Sequence, residues 1–311
     1  MPAFSAGTHK ENSVKRRLEL LTLWLVLVVA CTQARAQEKD PNHIRDVIYT
    51  HKVGVALTMD VFKPAKPNGI GVIWMVSGGW VSNHEGINPA LAQVFTSRGD
   101  TVFEVVHGSQ PKFTIPEIVQ DIERAVRFIR YHAEEYGVDP NRLGISGGSA
   151  GGHLSLMTGA LVPEPNKDAK DPVDRVSSAV QAVACFFPPT DFLNYGKEGA
   201  SAMKINTLKG YWPAFGVTDK TPPDDAEKVA QKTSPMSYVS DKMPPTLIIH
   251  GDADPLVPIQ QSQIFIAKLK ELKVPNQLEV RPGKGHGWVG LEKDLPVLAD
   301  WFDKYLAKPT K

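Results

Sequence analysis

The stretch GISGGSAGGH, Gly144 to His153, contains the pattern Gly-x-Ser-x-Gly twice, centred once on Ser146 and once on Ser149. A serine that attacks a carbonyl from an α/β sheet has to sit on a sharp strand-to-helix turn. Its hydroxyl then clears the sheet, and small neighbours let strand and helix close on each other. The apolar RLGIS on the N-terminal side reads as a strand, and GGHLSLMTGALV on the C-terminal side reads as a helix. Ser149 falls at that junction, with Gly147 two residues before it and Gly151 two residues after. Ser146 belongs to the end of the strand, where a structural role is expected.

Working outward from this turn, short β-branched runs alternate with helical patterns. VALTMDVF, IGVIWMV and TVFEVV read as strands, and IPEIVQDIERAVRFIRYHAEEYGV reads as an amphipathic helix. In that helix Ile118, Ile122, Val126 and Ile129 recur every three or four residues and share one face. Beyond the turn come AVQAVACFF and PPTLIIH as strands, PIQQSQIFIAKLKEL as a helix, NQLEV as a strand and DLPVLADWFDKYL as a last helix. This alternation specifies one α/β domain over residues 37–311, a mainly parallel central sheet with helices on both faces. Residues 192–240, containing PAFGVTDKTPPDDAEKV, break the alternation and are either a plain surface excursion or a small cap that helps shape a pocket.

A serine hydroxyl needs a base to take its proton, and the base needs a third group to orient it. HGDADPLVP follows the strand PTLII, so Asp252 and Asp254 stand in the loop at its carboxyl end, where open α/β sheets place their sites. GKGHGW follows the next strand and sets His286 between Gly285 and Gly287. Each piece alone has an ordinary alternative in turn chemistry or helix capping. Ser149, Asp254 and His286, each after its own strand and in that order, support one another. For an oxyanion, VSGGW (Val76–Trp80) offers backbone N–H groups at Gly78 and Gly79 after another strand, and Ala150 adds the N–H following the nucleophile.

Other chemistries find no support. His132 and Glu134 make H-x-E, but no P-C-x-x-C follows, so a zinc deaminase is excluded. H-E-x-x-H, a Walker A sequence and a properly spaced G-x-G-x-x-G are missing, and no metal or cofactor is expected. Lys and Arg number 35 against 34 Asp and Glu, a near balance that argues against a nucleic-acid surface.

With these motifs in place, the chain from about Val55 onward resembles the α/β-hydrolase superfamily, specifically the acetyl-esterase and hormone-sensitive-lipase-like carboxylesterases with bacterial feruloyl-esterase-like members. The resemblance rests on GGSAGGH, HGDADPLVP and GKGHGW. It implies Ser149 as nucleophile, His286 as base, Asp254 rather than Asp252 as the acid, and the amides of Gly78, Gly79 and Ala150 as the oxyanion hole. It also implies hydrolysis of a short-acyl ester such as an acetyl ester, on a small-molecule or saccharide alcohol. Two stretches depart from the family. Val76-Ser77 stands where H-G is usual, and VVHGSQ (Val105–Gln110) stands where relatives carry a tyrosine-arginine motif, leaving His107 as a pocket or packed loop residue. Arylformamidase-like or prolyl-oligopeptidase-like hydrolases and a non-catalytic binding protein on the same fold stay open as alternatives.

At the N-terminus Lys15, Arg16 and Arg17 precede the apolar run Leu20–Ala30, and Ala34-Arg35-Ala36 supplies small residues for cleavage. This is the pattern of a signal peptide over residues 1–36 and implies export to a periplasmic or extracellular site. Cys31, ending VVAC, is an alternative lipid-bearing residue. If it is removed, Cys185 is the single thiol left; its apolar run marks it as buried and inert.

Overall fold

The computed structural model describes residues 41–308. The expected signal peptide over 1–36 and Cys31 lie outside the described residues. Among those described, no helix is long and apolar enough to cross a membrane.

Eight strands form one sheet: β1 (His43–Lys52), β2 (Val55–Phe62), β3 (Gly71–Val76), β4 (Thr101–Val106), β5 (Leu143–Gly148), β6 (Ala182–Phe186), β7 (Thr246–Gly251) and β8 (Asn276–Arg281). Their order is β1-β2-β4-β3-β5-β6-β7-β8. β2 pairs antiparallel with both neighbours and every other pairing is parallel. The central strands β4, β6 and β7 are buried along their whole length. Their sequences, TVFEVV, AVACF and TLIIHG, are accordingly near-continuous apolar runs, as a sheet covered on both faces requires.

The cover comes from two sets of helices. α1 (Pro89–Thr96) and α7 (Leu295–Leu306) pack on one face through Phe95, Leu298 and Phe302. The other face is covered by α2 (Ile115–Tyr131), α3 (Ala150–Ala160) and α6 (Gln260–Glu271) through Ile122, Leu154 and Phe265. Side chains alternate faces along a strand, so Val72 joins the first core while Ile73 and Met75 join the second. The α2 start is set by Thr114, whose amide donates to the Glu117 carboxylate at 2.8 Å, a capping box. The helix ends at Tyr131, seven residues short of the Val138 end that the sequence pattern suggests; turns follow, closed by Gly137 at φ +69°. Cys185 is fully buried, and burial pushes its thiol well up from the usual range.

Between β6 and β7 the chain makes a long excursion with helical pieces of its own. These are 3-10 turns at Ala202–Lys204, Asn206–Tyr211 and Pro235–Tyr238, a single turn α4 (Trp212–Phe215), and α5 (Pro223–Thr233). This is the segment where the sequence loses its alternation. The strand order reverses between β3 and β5, and the crevice at a reversal of this kind is where α/β sheets bind ligands. The loop after β3 and the turn after β5 meet there.

The sheet also buries a carboxyl with a consequence for stability. Asp60 on β2 pairs with Glu104 on β4, and Glu104 is wholly inaccessible. Burial pushes its pKa up to about 8, the Asn88 amide at 2.6 Å opposes this, and the charge of Asp60 adds to it. A carboxyl raised in the folded state contributes stability that is full below its unfolded pKa, about 4.3, and is lost as pH rises through the folded value. Glu104→Gln is therefore expected to gain melting temperature over the parent at pH 9 and to gain less at pH 6, as thermal melts at the two pH values would read.

Candidate active site

Ser149 occupies the turn between β5 and α3 with φ +55° and ψ −117°, a strained conformation for a residue other than glycine. Its neighbours must be small to allow that turn. A Cβ on Gly147 would lie 2.7 Å from the carbonyl carbon of Gly151, backbone against backbone, so any larger residue forces strand and helix apart. The Ser149 amide donates to the Phe186 carbonyl at 3.0 Å, which ties the turn to β6. Ser146 is fully buried in the sheet, with its Oγ lacking a partner.

The β7 and β8 loops bring the other two groups to Ser149. His286 Nε2 lies 2.9 Å from Ser149 Oγ, and His286 Nδ1 lies 2.7 Å from Asp254 Oδ2. Asp254 Oδ1 accepts from the amides of Leu256 and Val257, both at 2.9 Å. Burial alone would raise the Asp254 pKa. Hydrogen bonds from His250, His286 and the Val257 amide, together with the His286 charge, hold it well below the usual carboxylate range. An ionised Asp254 can only accept, so Nδ1 of His286 carries the proton and Nε2 is left with a lone pair facing the hydroxyl. Asp252 is turned away, its Oδ1 accepting from the Gly283 amide at 2.6 Å as turn chemistry. Gly251 is needed for close approach: a Cβ there would collide with the backbone carbonyl of Lys284, in the loop that carries His286.

His250, the first residue of HGDADPLVP, belongs to this arrangement, a role that its motif alone does not reveal. It is fully buried, with Nε2 2.9 Å from the Val257 carbonyl and 3.3 Å from Asp254 Oδ2, and Nδ1 2.6 Å from Ser262 Oγ. It braces the acid loop beneath His286. Phe187 lies against the imidazole of His286 with ring centres 4.5 Å apart.

The loop after β3 corrects the expectation that the Gly78 amide is free. Gly78 and Val81 exchange hydrogen bonds, Gly78 N to Val81 O at 3.0 Å and Val81 N to Gly78 O at 2.9 Å. Gly79 and Trp80 between them have φ +56° and +59°, the signature of a type I′ hairpin turn. The Gly78 amide is thus already committed within the hairpin. Gly79 and Ala150 line the same cavity as Ser149. His107 lines neither cavity at Ser149. It is buried, its Nδ1 donating to the Gly108 carbonyl at 2.7 Å, and burial lowers its pKa to about 4. Its amide donates to Ser82 Oγ at 3.1 Å, so the VVHGSQ segment supports the hairpin from behind.

Beside Ser149 opens a narrow pocket, partly open to solvent, with almost entirely apolar walls. Trp80, Phe192, Tyr211, Trp212, Phe215 and Leu256 line it, four of them from the excursion between β6 and β7. On the other side a wider cleft runs past Ser77, Asn83, Gly148 and Phe187. Ser149 stands between a narrower apolar pocket and a wider mixed one. Asp46, Asp60 and His84 place one ligand atom each within 4.8 Å of one another. Asp60 is already engaged there, one oxygen 2.6 Å from His43 Nε2 and the other accepting the Asp46 amide, so the group is a structural knot at the β1–β2 edge.

Sheet order, strained turn and crevice together define an α/β-hydrolase fold. The BD-FAE family matches residues 59–269, and the chain belongs to that family. Among curated proteins it is similar to the esterases LipQ and LipC of Mycobacterium tuberculosis. LipQ is 29% identical over 64% of this chain and 45% of its own length, and LipC 27% identical over 79% and 60%. The chain thus spans about half the length of the curated relatives it matches. Among solved structures it is similar to a truncated carbohydrate esterase from gut microbiota, with TM-score 0.71, 24% identity, and coverage of 86% of this chain and 96% of that one. It is likewise similar to the propionate-bound esterase Est2 of Thermogutta terrifontis, with TM-score 0.68, 25% identity, and coverage of 87% and 97%.

Proposed function

We propose that the protein is a serine carboxylesterase that cleaves short-acyl esters through an acyl-enzyme. The observation that carries this reading is the unbroken hydrogen-bond chain from Asp254 through His286 to Ser149, opening on a cavity that Gly79 and Ala150 also line. His286 takes the Ser149 proton as Oγ attacks the ester carbonyl, and Asp254 holds the imidazole and stabilises its positive charge. The Gly79 and Ala150 amides receive the oxyanion. His286 then protonates the leaving alcohol, and water activated by the same histidine hydrolyses the acyl-enzyme.

The shapes of the two spaces divide the substrate. The acyl group stays covalently bound while the alcohol departs, so the narrower apolar pocket suits the acyl chain and the wider, more polar cleft suits a larger, hydrated alcohol such as a sugar. Residues 192–240 act as the cap, supplying most of the cavity wall. An N-terminal signal peptide over 1–36 would deliver the enzyme to esters outside the cytoplasm. The family names of the similar proteins, esterases and a carbohydrate esterase, support the reaction class.

The cavity favours acyl groups longer than acetyl. Two further methylenes buried at about 0.8 kcal/mol each amount to roughly tenfold in kcat/KM. Hydrolysis of p-nitrophenyl acetate, butyrate and octanoate by the purified chain is expected to show butyrate ahead of acetate by about that factor. A rate highest on acetate would put the acyl group outside the cavity.

A further inference from the structure

His153 closes the motif GGSAGGH, and the reaction as described makes no use of it. It lies in the first turn of α3, three residues past Ala150, and is fully buried. Its Nε2 is 2.7 Å from the backbone carbonyl of Thr233, at the end of α5. A carbonyl can only accept, so Nε2 carries the proton. The other ring nitrogen, Nδ1, accepts from the indole N–H of Trp80 at 3.2 Å. The two partners together demand one neutral tautomer: a second proton would set N–H against N–H. Burial lowers the ring's pKa to about 4 against the opposing hydrogen bond to Thr233, so the neutral form persists through the ordinary working range.

What this ring joins is the significant point. Trp80 follows Gly79 in the hairpin turn and is itself at φ +59°, a conformation that a bulky side chain rarely adopts without restraint. The indole is held edge-on by His153 and Phe215, with ring centres 5.4 Å away in each case, and it touches Tyr211 and Phe192 at 6.1 Å. Thr233 lies in the excursion that walls the apolar cavity. One imidazole therefore binds the oxyanion loop on one side and the cavity wall on the other, from a helix that begins at the nucleophile.

From this geometry we propose that His153 is a positioning residue that fixes Trp80, and through it the Gly79 amide, against the segment that walls the acyl cavity. The proposal rests on the esterase reading of Ser149. It assigns a role in transition-state binding, where a displacement of about 1 Å in a positioning group costs on the order of a hundredfold.

The test uses His153→Phe, which keeps the ring's bulk and loses both hydrogen bonds, Trp80→Phe, which loses the indole donor together with one ring's bulk at the cavity wall, and the double variant. With p-nitrophenyl butyrate, His153→Phe is expected to lower kcat by about 10- to 100-fold with KM changed less than threefold. Trp80→Phe should lower kcat in the same direction, and the double variant should fall no further than the worse single, because both act through one bond. In parallel, ¹H–¹⁵N spectra of the six indoles of the full chain report the contact directly, with the Trp80 signal assigned by its loss in Trp80→Phe. That signal should shift in His153→Phe. Unchanged kcat with an unmoved indole signal, or losses that add in the double variant, would overturn the proposal. A wild-type chain that cleaves no ester while the indole signal moves as expected would remove the esterase reading and leave the tie between His153 and Trp80 standing. If His153→Phe does not fold, Trp80→Phe carries the same kcat expectation.

Discussion

Ser149→Ala is expected to lower kcat on p-nitrophenyl butyrate by about 10⁴- to 10⁶-fold, leaving only what the oxyanion donors and binding contribute. The substitution removes the atom 2.9 Å from His286 Nε2 and keeps the Cβ that the turn already accommodates. Ser146→Ala is the matched control, since both serines sit in the same repeated pattern. The Ser146 hydroxyl is buried without a partner, so its removal deletes an unsatisfied polar group and should leave kcat within about twofold and the melting temperature equal or higher. Steady-state kinetics and melts on the two variants read both outcomes. An inactive Ser146→Ala beside an active Ser149→Ala would reverse the assignment.

The second large effect is expected at Asp254. In Asp254→Asn the amides of Leu256 and Val257 still require an oxygen where Oδ1 stands, which leaves the amide NH₂ facing His286 Nδ1. That nitrogen must then accept, and the proton moves to Nε2, pointing at Ser149. The imidazole is held as the wrong tautomer for a base. The expected loss is on the order of 10⁴ in kcat with the fold intact. Stability should follow the carboxylate as well. A carboxyl held below its ordinary value stabilises the fold at pH above that value, about 3.9, and the contribution fades as pH falls through the folded value below it. The melting temperature of Asp254→Asn should therefore lie furthest below the parent's near pH 7 and approach it in acid. Equal kcat for parent and variant at pH 7 would remove Asp254 from the mechanism.

How much of this was legible in the sequence follows from which forces leave a local trace. Strands buried on both faces must be apolar throughout, so β3, β4, β6 and β7 announce themselves. β1, HIRDVIYTHK, is an edge strand exposed along much of its length and carries no such run. The eight-residue α1 is too short for a clear period. The strained turn at Ser149 is legible because only small residues permit it, and Gly147 and Gly151 flank it at fixed spacing. The excursion between β6 and β7 was visible only as a loss of alternation. Its aromatic residues become a cavity wall through packing against Trp80, more than a hundred positions away in sequence. The Gly78 amide looked like a donor because a glycine-rich turn offers free amides in general; its bond to Val81 arises from the hairpin and has no signature of its own. His250 and His153 stood inside the quoted motifs, yet their roles depend on burial and on carbonyl partners, Val257 and Thr233, that no local pattern identifies.

A serine-reactive phosphonate tests Ser149 as the nucleophile of a competent serine hydrolase without assuming any particular ester. The Thermogutta terrifontis esterase, similar in fold to this chain, has been solved phosphonylated by cyclosarin, which makes this probe class a natural choice. Intact mass followed by peptide mapping should show one adduct per chain, on the peptide containing Ser149, absent from Ser149→Ala and greatly slowed in Asp254→Asn. A chain that stays unlabelled under conditions that label a control esterase, or one labelled equally well in Ser149→Ala, would contradict the account.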